Sequence, residues 1–293
     1  MIPLEFTKLT GLMQRTTGSR EVKVGLVDGP VFTQHPDLSR ENLRVLFNSQ
    51  SSCSRSNSKA CLHGTFVAGI LSAQRSSVAP SICPGCTLLI RPIVDERTAG
   101  SDQSPSATPR ELADAIIDCI DAGSRVINLS LAVTSPGSRG ERPLEEALDR
   151  AARRGVIVVA AAGNQGTLGS TSITRHPWVI PVVGCDLRGR PLEESSLGRS
   201  IGTRGLCAPG ESVVSLGAEG PPIMLKGSSV AAPFVTGTIA LLWSQFPGAT
   251  AGQIKLAVAS GRRPRQASVV PPVLDAASTY QALWTSGLGR RIA

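Results

Sequence analysis

Three side chains of complementary chemistry sit in short motifs far apart in this chain: Asp28 in Val-Gly-Leu-Val-Asp-Gly, His63 in His-Gly-Thr-Phe-Val-Ala-Gly and Ser229 in Gly-Ser-Ser-Val-Ala-Ala-Pro. A carboxylate, an imidazole and a hydroxyl are the parts of an activated serine nucleophile. The imidazole takes the hydroxyl proton, and the carboxylate orients the ring and stabilises its charged form. Elimination singles out the base. The chain has three histidines, and His35 and His176 each precede a proline, which holds them in extended or turn backbone. His63 instead lies among Gly64, Thr65, Ala68 and Gly69, where backbone can pack tightly beneath a fixed ring. A fourth part is Asn164 in Ala-Ala-Ala-Gly-Asn, whose side-chain amide can donate to a developing oxyanion. Taken singly, each has a plainer reading, Ser229 as a helix N-cap and Asp28 and Asn164 as turn residues. Their joint presence favours catalysis.

The surrounding patterns must position these groups. Residues 22–27 read as a buried strand halted by Asp28-Gly29-Pro30, and small and apolar residues from 63 to 71 read as a buried helix. A second strand is expected over 88–94. Thr108-Pro109-Arg110-Glu111 is a capping box with proline at the first helical position, and the helix it opens stops at Gly123. A strand over 126–131, a helix over about 143–154 and a strand over 156–161 repeat the alternation, followed by a short strand over 179–184. Ser229 begins a long helix reaching about residue 246. Strands apolar throughout and alternating with helices predict an α/β fold, a parallel sheet covered on both faces. Asp28 and Asn164 then fall at the carboxyl ends of strands, where open α/β sheets bind ligands.

With these four motifs in the order Asp, His, Asn, Ser, the chain resembles the subtilisin family of serine endopeptidases over about residues 22–253. The resemblance implies a three-layer sandwich with a mostly parallel seven-stranded sheet, and two buried helices carrying His63 and Ser229. It implies a catalytic domain over 21–260, preceded by a lead-in (1–20) and followed by a tail (261–293) with a short helix near 273–283. It implies a substrate groove bordered by Ser130, Leu131 and Ala132, with Ala161, Ala162 and Gly163 as the facing wall. The chain departs from the family pattern at Phe66 and Phe234, where histidines are usual, and at Ala132-Val133, where a glycine pair is usual. Family calcium loops look eroded: Asp37 is kept, but residues 73–77 offer no carboxylate, so no tight calcium site is expected. A finer resemblance, carried by Leu-Val-Asp-Gly-Pro-Val, the following His-Pro and Arg-Pro-Ile-Val, is to the proteases of cyanobactin maturation. That implies removal of leader or follower segments from a ribosomal precursor peptide. Macrocyclising members carry a helical insert between aspartate and histidine. Here about 35 positions, with a serine-rich loop, separate Asp28 from His63, which favours cleavage. The alternatives are a transpeptidase or macrocyclase on the same kind of peptide, and a non-catalytic peptide-binding module.

Composition narrows the partners. The 293 residues are 41% hydrophobic with no apolar run near the roughly 18 residues that span a membrane, and the N-terminus lacks a signal-peptide pattern, so a cytoplasmic protein is expected. The net charge of +8 is scattered, densest at Arg153-Arg154, Arg262-Arg263 and Arg290-Arg291, and aromatics are only 3%, so nucleic acid is not an expected partner. A peptide substrate is. Of seven cysteines, Cys83 and Cys86 have zinc-ligand spacing and Cys53 with Cys61 could complete four sulfurs, but the Cys53–Cys61 spacing favours buried thiols with one loop disulfide over zinc. No cofactor is expected.

Overall fold

Apolar residues that alternate between the two faces of parallel strands account for the layering of the molecule. The computed structural model describes residues 2–46, 53–93, 106–130, 132–133, 141–259 and 268–288. The chain opens with helices α1 (Pro3–Phe6) and α2 (Leu9–Arg15), then β1 (Lys23–Asp28), a 3-10 turn at Arg40–Asn42 and β2 (Leu43–Val45). Next come α3 (Lys59–Ser72), β3 (Thr87–Pro92), β4 (Ser106–Ala107), α4 (Pro109–Asp121), β5 (Val126–Leu129), β6 (Ala132–Val133), α5 (Glu141–Arg154) and β7 (Ile157–Ala161). The second half holds α6 (Ser172–Arg175), β8 (Val179–Cys185), α7 (Arg199–Arg204), β9 (Leu206–Pro209), and the hairpin strands β10 (Val213–Ser215) and β11 (Ile223–Leu225). Helices α8 (Ser228–Gln245), α9 (Ala251–Ala259) and α10 (Ala276–Thr285) close it.

Seven strands form one sheet in the order β2-β3-β1-β5-β7-β8-β9, every pairing parallel. The period-2 alternation splits the core. Val24, Leu26, Val126, Ile157 and Val159 pack with α3 and α8 in one cluster, while Val27, Ile127, Leu129, Val158 and Ala160 pack with α4 and α5 in another. This is the three-layer subtilisin-like α/β sandwich. Helices α3 and α8 are apolar or small on all sides, as helices buried all round must be, and α5 is amphipathic because it covers the outside. The Thr108 cap forms as expected: its hydroxyl accepts from the Glu111 amide at 3.2 Å, and the Glu111 carboxylate accepts from the Thr108 amide at 2.8 Å.

Several boundaries differ from expectation, for local reasons. α3 starts one turn before His63, because Ser58 caps it by accepting from the Cys61 amide at 3.1 Å. The lead-in is helical: Leu9, Leu12 and Met13 of α2 turn into the main core, and Lys8 meets Asp275 at 2.6 Å, tying the start of the chain to the cap of α10. Strand β9, the β10–β11 hairpin and α9 carry too few patterned residues to be read from sequence. Val94, Leu131, Arg262, Arg263, Arg290 and Arg291 lie outside the described residues.

Candidate active site

β1 lies between β3 and β5, so successive chain segments leave it in opposite directions and open a crevice at its carboxyl end. Asp28 stands there. Its place two residues beyond Leu26 and four beyond Val24 puts it on the face covered by α3 and α8, the helices that bear His63 and Ser229. Close approach of α3 to this strand end depends on two glycines. A Cβ on Gly64 would lie 2.4 Å from the Gly29 carbonyl oxygen, and one on Gly29 would lie 2.1 Å from that of Ala60.

The structure brings the three predicted side chains together. His63 Nδ1 is 2.7 Å from Asp28 Oδ1, and His63 Nε2 is 3.0 Å from Ser229 Oγ. Asp28 is fully buried, and its Oδ1 also accepts from the Gly29 amide at 2.6 Å, which fixes the carboxylate plane. Its Oδ2 is buried without a hydrogen-bond partner among the described residues. Among the described residues the imidazole is thus the one side chain hydrogen-bonded to this carboxylate. Burial pulls the His63 pKa down, but the charge of Asp28 and the hydrogen bond to it outweigh burial and hold the ring above its ordinary 6.5. With Nδ1–H donated to Asp28, neutral His63 presents Nε2 as acceptor to the serine hydroxyl.

Ser229 belongs to the first turn of α8, after Gly227 at φ +125°. A side chain at 227 would be strained and would put its Cβ 2.7 Å from Asn164 Nδ2. Asn164 lies beyond the end of β7 with a defined orientation. Its Oδ1 accepts from the Ser228 amide at 2.8 Å and from Ser228 Oγ at 2.9 Å, and Ser228 Oγ accepts in turn from the Gly163 amide at 3.1 Å. Because a backbone amide can only donate, the oxygen must face Ser228, which turns Nδ2 toward Gly227 with no acceptor among the described residues. The Ser229 amide is a first-turn helix donor with no acceptor within the helix. The helix N-terminus adds positive potential there.

Pro233, Asn128 and Thr236, which support Ser229, were not read from the sequence as parts of the site. Pro233 has no N–H, so the carbonyl of Ser229, four residues before it, lacks its helical partner. Ser130 supplies the missing donor: its Oγ donates to that carbonyl at 3.0 Å. Asn128 Nδ2 donates to Ser130 Oγ at 2.6 Å, and Thr236 Oγ1 on α8 donates to Asn128 Oδ1 at 2.9 Å. All of these side chains are buried. An asparagine inside an apolar strand, Val-Ile-Asn-Leu, was the available clue, since a buried amide must find partners.

The expected groove residues are placed less simply. The Ser130 side chain turns inward to Ser229, so only its backbone is left to border a groove. Ala132 pairs with Ser106 in the short β4–β6 ladder, so one edge of that strand is already taken. The Ala162 methyl packs into a small core with Val183, Cys185, Ile201 and Cys207, and its amide donates to Val182, which removes the side chain from any wall. Ala161 and Gly163 are half-buried at the strand end. Cys53 and Cys61 form a disulfide that anchors the first turn of α3, two residues before His63. No group of three or more His, Cys, Asp or Glu side chains that could hold a metal occurs among the described residues.

Residues 19–263 match the Subtilase family of peptidases. The chain belongs to the subtilases. This subtilase is 31% identical to a thermostable alkaline protease of Halalkalibacterium halodurans over 80% of its own length, and spans about 60% of that protein. Among solved structures, it superposes on the protease domain of PatA with a TM-score of 0.82 at 29% identity, covering 92% of this chain and 97% of that one. It superposes on the prenylagaramide maturation protease PagA with a TM-score of 0.81 at 26% identity, covering 94% and 98%. The subtilase is thus similar both to a broad-family protease and to cyanobactin maturation proteases.

Proposed function

We propose that this subtilase is a serine endopeptidase whose catalytic residues are Asp28, His63 and Ser229, with Asn164 and the Ser229 amide as oxyanion donors. The observation that carries the reading is the imidazole of His63, held between a buried carboxylate at 2.7 Å and a hydroxyl at 3.0 Å. Ser229 Oγ attacks the scissile carbonyl carbon as its proton passes to His63 Nε2. The oxyanion is received by Asn164 Nδ2 and the Ser229 amide. As the carbon–nitrogen bond breaks, His63 returns the proton to the departing amine and an acyl-enzyme remains. Water, deprotonated by His63, releases the acid and restores Ser229.

The substrate in this reading is a ribosomal precursor peptide trimmed at a leader or follower junction. Similarity to the PatA protease domain and to PagA supports it. Between Asp28 and His63 the described elements are one 3-10 turn, β2 and the first turn of α3, with no helix pair among the described residues, which supports hydrolysis over cyclisation. A cytoplasmic place of action is part of the proposal. Five cysteines as free thiols suit it, and the Cys53–Cys61 bond is the exception that a thiol titration of the protein from cell extract checks. No helix among the described residues is long and apolar enough to cross a membrane.

A fluorophosphonate probe should label the native protein at Ser229 and leave Ser229→Ala unlabelled. Mass spectrometry of peptides encoded beside its gene should then show linear products cut at one junction. Cyclic or amine-joined products would make it a transpeptidase, and a folded protein that binds peptide without labelling would make it a binding module.

A further inference from the structure

Beside Asn164 opens a cleft of about 520 Å³ lined by Asn164, Gln165, Gly166, Glu193, Glu194 and Lys226. It shares Asn164 with the site but includes none of Ser130–Ala132 or Ala161–Gly163, the segments that the family resemblance implies as border and wall of the substrate groove. Its lining joins the loop after β7, which carries Asn164, to Lys226 at the approach to α8. Lys226 immediately precedes Gly227, so its stem is tethered three residues from Ser229.

The charge of this cleft opposes that of the protein. The chain carries a net +8, yet here Lys226 is surrounded by carboxylates. Its ammonium forms an ion pair with Glu194 Oε1 at 2.9 Å, which raises its proton affinity, and the charges of Glu211 and Glu193 raise it further. The same contact, ahead of all other causes, holds the Glu194 carboxyl below its usual range. Glu194 pairs with the ammonium, Glu193 stands beside it in the lining, and Glu211 acts from outside the lining. Glu194 neutralises Lys226, and Glu193 and Glu211 make no ion pair among the described residues. A cationic side chain entering the cleft meets this surplus negative charge. An anionic one must share Lys226 with Glu194 and approach Glu193.

We propose that this cleft is a leaving-group subsite that selects a basic residue immediately after the scissile bond, with Glu193 and Glu194 as the specificity-determining residues. The inference rests on the serine endopeptidase reading and adds the substrate's chemical class. Selection of this kind works as much by the unpaired charge imposed on the wrong residue as by attraction of the right one.

The test uses the whole chain and three peptides identical except for Arg, Ala or Glu directly after the bond cut, beside an activated p-nitrophenyl ester with nothing beyond its leaving group. Native protein should give kcat/KM in the order Arg, Ala, Glu with a total spread of about tenfold or more at low salt, narrowing in about 1 M salt, where charges are screened within a few ångströms. In Glu193→Gln/Glu194→Gln the Arg-to-Glu ratio should fall to about one, because only Glu211 then offsets Lys226 and the surplus negative charge is gone. The ratio is the readout, so any general loss of rate in the variant cancels. Ester turnover with no charge order in the native protein, or an order that survives the double substitution, overturns the subsite assignment while leaving the protease standing. Absence of ester turnover removes both.

Discussion

At the scale of single residues, the proposed mechanism makes His63 the group that sets the pH response. Its pKa is raised above 6.5 because Asp28 outweighs burial. The working form is the neutral ring, so activity is full above that raised value and is lost as pH falls through it. The acid limb of kcat/KM should have its midpoint above 6.5. In Asp28→Asn the raising influence is gone and burial remains, so the midpoint should move below 6.5 and turnover should fall by roughly 10⁴, as expected when the orienting carboxylate of such a triad is lost. An unmoved midpoint would mean that another group controls the limb. Asn164→Ala should cost about 10²–10³ in kcat with KM nearly constant, because the lost hydrogen bond is made to the transition state. Ser228 touches no reacting atom. It turns Asn164 Nδ2 outward, so Ser228→Ala should reduce kcat by about tenfold at unchanged KM, and Ser228→Thr, which keeps the hydroxyl, should restore it. A loss in KM instead would assign Ser228 to substrate binding.

At the scale of elements, the start of α8 illustrates how a helix interruption is made useful. Pro233 leaves the Ser229 carbonyl without its helical donor, and the β5 end supplies Ser130 through a relay from Thr236 and Asn128. Strand and helix are thereby locked at Ser229, the proposed nucleophile. Ser130→Ala should destabilise the fold by about 1–3 kcal/mol, the usual cost of a buried acceptor left unsatisfied. Restoring a backbone donor with Pro233→Ala in the same chain should recover part of that loss, measured as the urea midpoint at constant m-value. Strict additivity of the two substitutions would disprove the coupling. The small residues of α3 work differently: Gly64 and Gly29 allow backbone contact between α3 and the turn after β1, which brings imidazole and carboxylate within hydrogen-bonding reach.

At the scale of the whole molecule, the two ends of the chain close over the core. α2 buries Leu9, Leu12 and Met13, Arg15 lies 5.0 Å over the Tyr280 ring, and the Ala276 amide donates to Thr7 at 3.0 Å. The same N-terminal segment covers a pair of thiols. A Cβ on Gly18 would sit 2.5 Å from Cys86 Sγ, and the interaction between the two buried thiols raises the pKa of Cys83 and lowers that of Cys86. Leu12→Ala should cost about 2–4 kcal/mol and speed the reaction of these thiols with a disulfide reagent in native buffer. Equal reactivity before and after would show that α2 does not guard them. Much of the architecture was legible from residue patterns: the alternation of apolar strands with capped helices, and the motifs of Asp28, His63, Asn164 and Ser229. Those readings depend on neighbours within a few positions, where sequence and conformation are directly linked. The inward turn of Ser130, 99 residues from the carbonyl it serves, and the hold of Ser228 on Asn164 across 64 residues were not legible. Local pattern by itself determined which elements form and which chemistry they carry; tertiary structure decided which polar groups face one another, because that depends on sheet order and helix placement, which no short stretch of sequence encodes.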